Sequence, residues 1–503
     1  MSARHALRRL LGGLVLLATA VLLALRAQAA GGARPAAAQA NRTVYLPLVS
    51  QSYNPALGQR VVNARYLPGL VGPDGNLDRL SEMALFWFGR VTPSENYVDV
   101  RVGYTDSELV VYLAVFDRLL WHDTSPALAD LDKWDGASLY LDLDSGGSAA
   151  PDASSYRFIA QLSDWQGRAD YQAAYQGTGS GWQNVNLNGV VTDAGCAWED
   201  YDTGGFNNGE NNRGCGITFR VPFARLGLAG RPADGAVWRL GSADHDRESQ
   251  AGPALADKVW PPEFAANVPA NWGRLRFGQP AYAAPASKNP QTVTIRHGLN
   301  GAVVPDANIG GIITNQCPGD PTYIWNQWGN ANNHTDTGAN VQNQVNIADW
   351  PCFAKYYVTF PLNGLPAGRL VRAATLRLQH TGNSGSLNDA QNSYLHIHVV
   401  ADDWNESTIG WNNAPLALEN VAVTVVPPLP GCDYGNGANP CAWREWDLSR
   451  AVAEAYSAGK TALRLAVYSS DGAMHSGKFI GTSDQNDFYA AARPSLVVTL
   501  VDP

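Results

Sequence analysis

YVDVRVGYTDSELVVYLAVFD, residues 97–117, decides the fold. Val98, Val100 and Val102 alternate with Asp99, Arg101 and Gly103. A period of two sends apolar and polar side chains to opposite faces of a strand. TDSE (105–108) supplies a turn, and LVVYLAVF returns as a second strand. The segment therefore reads as an antiparallel hairpin.

The same style extends in both directions. ASLYLDLDSGG (137–147), GITFRVPFARLGL (216–228) and WGRLRFG (272–278) read as strands that complete a first group. KYYVTFPL (355–362), AATLRLQHTG (373–382), YLHIHVVADDW (394–404), TALRLAVYSS (461–470) and PSLVVTLV (494–501) form a second. One helix is expected, SRAVAEAYSAG (449–459), with Val452, Ala453 and Tyr456 on one side and Gly459 at its end. No short repeat points to a solenoid. Strands with turn signals between them and almost no helical period predict an all-β fold of two antiparallel, jelly-roll-like β-sandwiches in tandem.

Composition marks the ends and the boundary. Arg4, Arg8 and Arg9, the apolar run 10–25 and RAQAA (26–30) make residues 1–30 a signal peptide. The run is short for a membrane span, so no transmembrane segment is expected after leader removal. Residues 31–56, which include VYLPLVS (44–50), read as a tether. The first sandwich is assigned to 57–280, AYAAPASKNPQ (281–291) to a linker, and the second sandwich to 292–503. The formal net charge is −9, and loss of the leader's four Arg takes it to −13. An acidic surface repels phosphate, which argues against nucleic acid as a partner. All six Cys follow the leader. An even count in an exported chain favours disulfides, and the most local pairing is Cys196–Cys215, Cys317–Cys352 and Cys432–Cys441.

Four stretches carry a resemblance in the first group: VGYTDSELVVYLAVFDR (102–118), KWDGASLYLDLD (133–144), SYRFIAQL (155–162) and VWPPEFAANVPANWGRLRFG (259–278). In order and spacing they resemble the family 9 carbohydrate-binding modules and their DOMON-like sandwich relatives. The resemblance implies that Trp134 and Trp260 sandwich a sugar ring and that Arg157 hydrogen-bonds it. A pyranose has apolar C–H faces and a polar rim, so indole stacking with charge-assisted hydrogen bonds suits it. The competing reading of two Trp in a sandwich is packed core. Ser138 stands where the sugar-binding members carry a Glu, which removes an acidic acceptor for sugar hydroxyls.

In the second group, VTFPLNGLPAGRLVRAATLRLQHTG (358–382), ADDWNESTIGWNNAP (401–415), EWDLSRAVAEAYSAGKTALRLAVYSS (445–470) and ARPSLVVTL (492–500) resemble the family 96 carbohydrate-binding modules, or DNRLRE domains. Such domains are accessory modules of extracellular polysaccharide enzymes and surface proteins. In them the segment that holds Trp404 and Trp411 is a structural loop or strand end.

Other candidates come from the residues themselves. Asp142 and Asp144 share a strand face next to SGG, which reads as a calcium site or as solvated carboxylates beside a turn. The run 306–320, DANIGGIITNQCPGD, also offers oxygen ligands. Trp325 and Trp328 in the Asn-rich YIWNQWGNANNH (323–334) are a candidate second sugar platform. His396, His398 and His380 offer a metal cluster or core packing, and His380 shares the parity of Leu376 and Leu378. No Gly-x-Ser-x-Gly, His-Glu-x-x-His or phosphate loop occurs, and no local motif sets two carboxylates about a cleft. Met83 and Met474 lack a haem-ligand context. The expectation is a secreted, non-catalytic protein that binds extracellular or envelope polysaccharide. The alternative is a structural surface protein that works through protein partners. An unrecognised polysaccharide-active enzyme and a haem-binding sandwich rank below both.

Overall fold

The computed structural model describes residues 60–163, 168–186, 190–199, 205–311, 325–343, 353–401, 403–432, 441–473 and 475–503. The expected leader and tether lie outside these, as do Cys317, Cys352, Met474 and the side chain of Cys196. The expected Cys432–Cys441 disulfide is present, with Cα atoms 4.9 Å apart.

The first group forms strands β1 (Val61–Tyr66), β2 (Ala84–Thr92), β3 (Glu95–Tyr104), β4 (Glu108–Phe116), β5 (Gly136–Asp142), β6 (Ser155–Gln161), β7 (Gln172–Gly177), β8 (Trp182–Asn184), β9 (Val191–Glu199), β10 (Asn212–Pro222), β11 (Val237–His245), β12 (Lys258–Trp260) and β13 (Gly273–Phe277). The hairpin falls where the alternation places it, with Tyr104 opposite Leu109. One antiparallel sheet runs β2–β3–β4–β10–β9. The other runs β8–β7–β6–β5–β11, and β11 continues to β12 at one end and β13 at the other. Val98, Val100, Val102, Val111 and Leu113 meet Leu139, Leu141, Phe158, Leu240 and Leu275 between the sheets. Burial of each such side chain contributes about 1.5–3 kcal/mol.

The second group forms β14 (Gln291–Arg296), β15 (Asp306–Gly310), β16 (Asn332–Asn333), β17 (Gly338–Val341), β18 (Ala354–Pro361), β19 (Leu370–Asn383), β20 (Ser393–Val400), β21 (Ala417–Val426), β22 (Ala442–Asp447), helix α1 (Ser449–Ser457), β23 (Ala462–Ser469), β24 (Lys478–Gly481) and β25 (Ser495–Val501). One sheet runs β21–β20–β23–β18–β15–β16. The other runs β14–β25–β19, where β19 pairs with β22 and β24, and β24 with β17. Helix α1 buries Ala451 and Val452 and ends at Gly459, whose φ of +68° is the left-handed cap that glycine favours.

A third apolar layer joins the two groups. Leu85, Trp87, Tyr97 and Phe116 pack with Ile309, Trp328, Phe353, Tyr357, Trp411 and Tyr468. The polar positions of the founding hairpin, Asp99 and Arg101, point into this layer and are fully buried. Asp99 accepts hydrogen bonds from Tyr97 Oη (2.6 Å), Tyr468 Oη (2.9 Å) and Asn343 Nδ2 (2.8 Å). Lys355 Nζ donates to Tyr97 Oη at 2.7 Å. It also sits 3.8–4.8 Å from the ring centroids of Trp87, Tyr97, Trp411 and Tyr468. Arg101 Nε donates to the Ser470 carbonyl at 2.9 Å. At the layer's edge β1 touches β21 through Val61 and Glu419.

The 281–291 segment is clipped to the second group. Tyr282 donates to the Val371 carbonyl, Lys288 Nζ to the Pro503 carbonyl at 2.7 Å, and Asn289 Nδ2 to Asp502 at 2.6 Å.

Candidate functional site

The outer face of β5–β8 and β11 gathers most of the first group's expected ligand chemistry. Inward Leu139 and Leu141 leave Ser138 and Tyr140 on the opposite face of β5. Arg157, across the ladder from Tyr140, projects the same way. Arg157 Nη2 donates to Asp132 Oδ2 at 2.7 Å and to Ser138 Oγ at 3.3 Å. Its guanidinium lies 5.4 Å from the Tyr140 ring and 5.8 Å from the Tyr175 ring. Burial pushes the Asp132 carboxyl up, but the hydrogen bond and charge of Arg157 outweigh it, so its pKa falls below the usual value. Beyond Tyr140 lie Trp182 (6.0 Å between centroids), Phe264 (4.8 Å) and Trp272 (5.4 Å). Phe264 rests on Gly241, where a Cβ would approach the ring to 2.3 Å.

Trp134 ends the short helical turn Leu128–Lys133 and is half-buried. The Arg247 guanidinium covers its ring at 4.0 Å. Trp260, its expected partner, is 1 % exposed and packs on Phe86 at 4.2 Å in the sandwich core. Trp260 therefore has no ring face open to a sugar, because β12 pairs with β11 and turns the indole inward. Trp134 and Arg157 do share a neighbourhood through Asp132. Trp325 and Trp328 are likewise buried, at 3 % and 2 %, in the layer between the groups, so neither offers an open platform. Composition hid Tyr175, Trp182, Asp132 and Arg247, whose approach depends on the β5–β8 pairing. The one local signal was the aromatic at the outward position of QAAYQG (172–177).

The face also holds a hydrogen-bonded chain. Ser138 Oγ lies 2.8 Å from His245 Nε2, and His245 Nδ1 lies 2.9 Å from Asp257 Oδ1. Serine nucleophiles use such a chain. Here Ser138 is fully buried, receives a hydrogen bond from Arg157, and sits mid-strand between Ile159 and Ala243. Its backbone lies within the sheet ladder, paired on both sides. The chain is better suited to fixing Arg157 than to attack.

Asp142 is buried, and its Oδ1 accepts from Asp144 N (3.1 Å) and Ser154 Oγ (2.7 Å). Asp144 is exposed and caps Gly146 N at 3.0 Å. Among the described residues, carboxylates converge instead at Asp117, Asp135 and Asp246, and at Asp306, Glu406 and Asp484. The second set includes the start of the 306–320 run, of which 312–320 lie outside the described residues. His396 and His398 are buried and bound to Ser470 Oγ and the Leu85 carbonyl, and His380 to the Gly382 carbonyl. No described helix is long and apolar enough to cross a membrane.

No curated protein matches the chain. Among solved structures it is similar to a family 9 carbohydrate binding module from Caldicellulosiruptor kristjanssonii in complex with cellotriose. The identity is 11 %, with 46 % of this chain and 100 % of that one covered and a TM-score of 0.32. The same organism's module in complex with glucose gives 12 %, 44 %, 100 % and 0.30. A putative carbohydrate-binding protein from Bacteroides uniformis gives 12 %, 44 %, 99 % and 0.33. Residues 313–499 match the family described as Carbohydrate-binding module family 96.

Proposed function

We propose that this is a secreted, non-catalytic glycan-binding protein that attaches to extracellular or envelope polysaccharide. The family 96 match in the second group supports carbohydrate binding in general. One observation carries the reading for the first group. Half-buried Tyr175 and Trp182 share a sheet face with an Arg157 held by Asp132 and Ser138, and half-buried Trp134 ends the helical turn that supplies Asp132. Aromatic planes beside oriented charged donors suit the apolar faces and polar rim of a sugar.

Binding of the full chain to an array of neutral glucans, xylans and alginate tests this. Trp134→Ala with Arg157→Ala is expected to weaken retention at least tenfold while the melting temperature stays close to wild type. Unchanged retention in the folded double variant sinks the site. Silence of the wild type on every glycan favours the surface-protein reading.

A further inference from the structure

Lys355, Asn343 and Asp99 meet in the layer between the two groups, and each is at most 1 % exposed. Asn343 follows β17, Lys355 is the second residue of β18, and Asp99 comes from β3 of the first sandwich. Gln342 and Ala354 exchange backbone hydrogen bonds at 3.1 and 2.8 Å, which sets Asn343 and Lys355 on one face of that antiparallel bridge as diagonal neighbours. Such neighbours lie about 7–8 Å apart, within reach of a long side chain. Both side chains turn to the same carboxylate. Asn343 Nδ2 donates to Asp99 Oδ2 at 2.8 Å. Lys355 Nζ reaches Asp99 Oδ1 through Tyr97 Oη, in steps of 2.7 and 2.6 Å.

An ammonium carries three donors. Among the described residues, Lys355 Nζ has one hydrogen-bond acceptor, Tyr97 Oη, and its other sides meet the rings of Trp87, Trp411 and Tyr468. Burial pushes the Lys355 pKa well down against the pull of Asp99, which favours the free amine. Asn343 Oδ1 is buried with no hydrogen-bond partner. The rings keep water away from all three groups. An amine, a side-chain amide and a shared acid held together in a dry pocket are the parts that acyl transfer from amide to amine requires.

We propose that Lys355 Nζ and Asn343 Cγ join in an isopeptide bond formed by the folded chain itself, with Asp99 as the proton shuttle. One proton passes from Nζ through Tyr97 Oη to Asp99. The freed amine pair attacks Cγ, and the carbonyl pair moves onto Oδ1, which a half-turn of the amide presents to the Asp99 proton. Collapse restores the carbonyl and breaks Cγ–Nδ2. The leaving nitrogen takes a second proton from Nζ and departs as ammonia, which carries off the Asp99 proton as ammonium. One C–N bond forms and one breaks, so neither oxidant nor cofactor is needed. The product replaces a buried charge with a neutral amide and ties the end of β17 to β18. Since Asp99 belongs to the first sandwich, the bond closes only once the two groups have met.

The test is mass spectrometry of the reduced full chain after chymotryptic cleavage at Phe353, which lies between the two residues. In the wild type, the peptides bearing Asn343 and Lys355 are expected as one species, lighter than their sum by one ammonia. In Asn343→Ala and in Lys355→Arg they should separate. Folded Asp99→Asn should give at least tenfold less of the joined species. Separate wild-type peptides of full mass overturn the proposal. So does a joined species that persists in Asn343→Ala, or one lighter by a water and carrying the Asp99 peptide, which would move the bond to the carboxylate. Undiminished joining in folded Asp99→Asn removes the shuttle. If that variant does not fold, the wild type and Asn343→Ala still decide whether the bond exists.

Discussion

His396 and His398 face each other on β20 with ring centroids 5.9 Å apart, both inside the layer between the groups. Ser470 Oγ donates to the Ser81 carbonyl, so it accepts from His396 Nε2, and His396 Nδ1 is left buried with no hydrogen-bond partner. Protonation there would place an unsatisfied charge in the interior. Burial lowers His396 well below its ordinary value and His398 to about 4. A histidine depressed in the native state takes up protons first when unfolded, so its contribution is present above pH 6.5 and fades toward pH 4. His398 alone should cost about 2–3 kcal/mol between pH 7 and pH 4.5. Asp306, raised to about 7 by burial, acts with the opposite sign in the same window. The wild-type curve therefore mixes the two. Urea unfolding of wild type and His398→Gln at both pH values isolates the histidine: the variant should lose less on acidification, and equal losses would refute the assignment.

The loop ADDWNESTIGWNNAP helps to join the two groups. Asn412 reads the backbone of Val91 as a strand would, accepting from its N–H at 2.8 Å and donating to its carbonyl at 2.9 Å. Trp411 packs on Tyr97 and Trp328 at 5.1 and 4.5 Å. Asn412→Ala leaves both Val91 groups unpaired and should cost about 1–3 kcal/mol, read from the denaturation midpoint. The same element shows what sequence can and cannot disclose. Period-two alternation located the strands, because alternate burial is local. It could not reveal that Asp99 and Arg101 are covered, since Tyr468, Asn343 and Ser470 lie hundreds of residues away. The family resemblance, not the alternation, named Trp134, Arg157 and Trp260 together, and Trp260 is turned into the core by a three-residue pairing with β11 that no spacing foretells.

Across the whole molecule the two sandwiches share a charged centre. Lys355 and Asp99 are both fully buried and bridged by Tyr97, and four aromatic rings surround the ammonium. Burial pushes Lys355 down, while the charge of Asp99 and the ring faces favour its cationic form. Removing one partner strands the other, so Lys355→Ala should destabilise by about 3–5 kcal/mol. Wild-type calorimetry should show one transition for both sandwiches. A Lys355→Ala protein in which only the second group melts early would mean that the centre does not couple them.

That shared layer has a consequence for biosynthesis. A ribosome delivers Leu85, Trp87, Tyr97 and Phe116 long before Trp411 and Tyr468, which cover them in the finished protein. Until the C-terminal half emerges, the nascent N-terminal sandwich carries an uncovered apolar sheet face with a buried-type aspartate and arginine at its centre. Such a face invites chaperones and misassembly. Premature termination near the linker would release a sticky fragment in place of a working smaller module. The shared layer therefore favours keeping the two sandwiches on one chain.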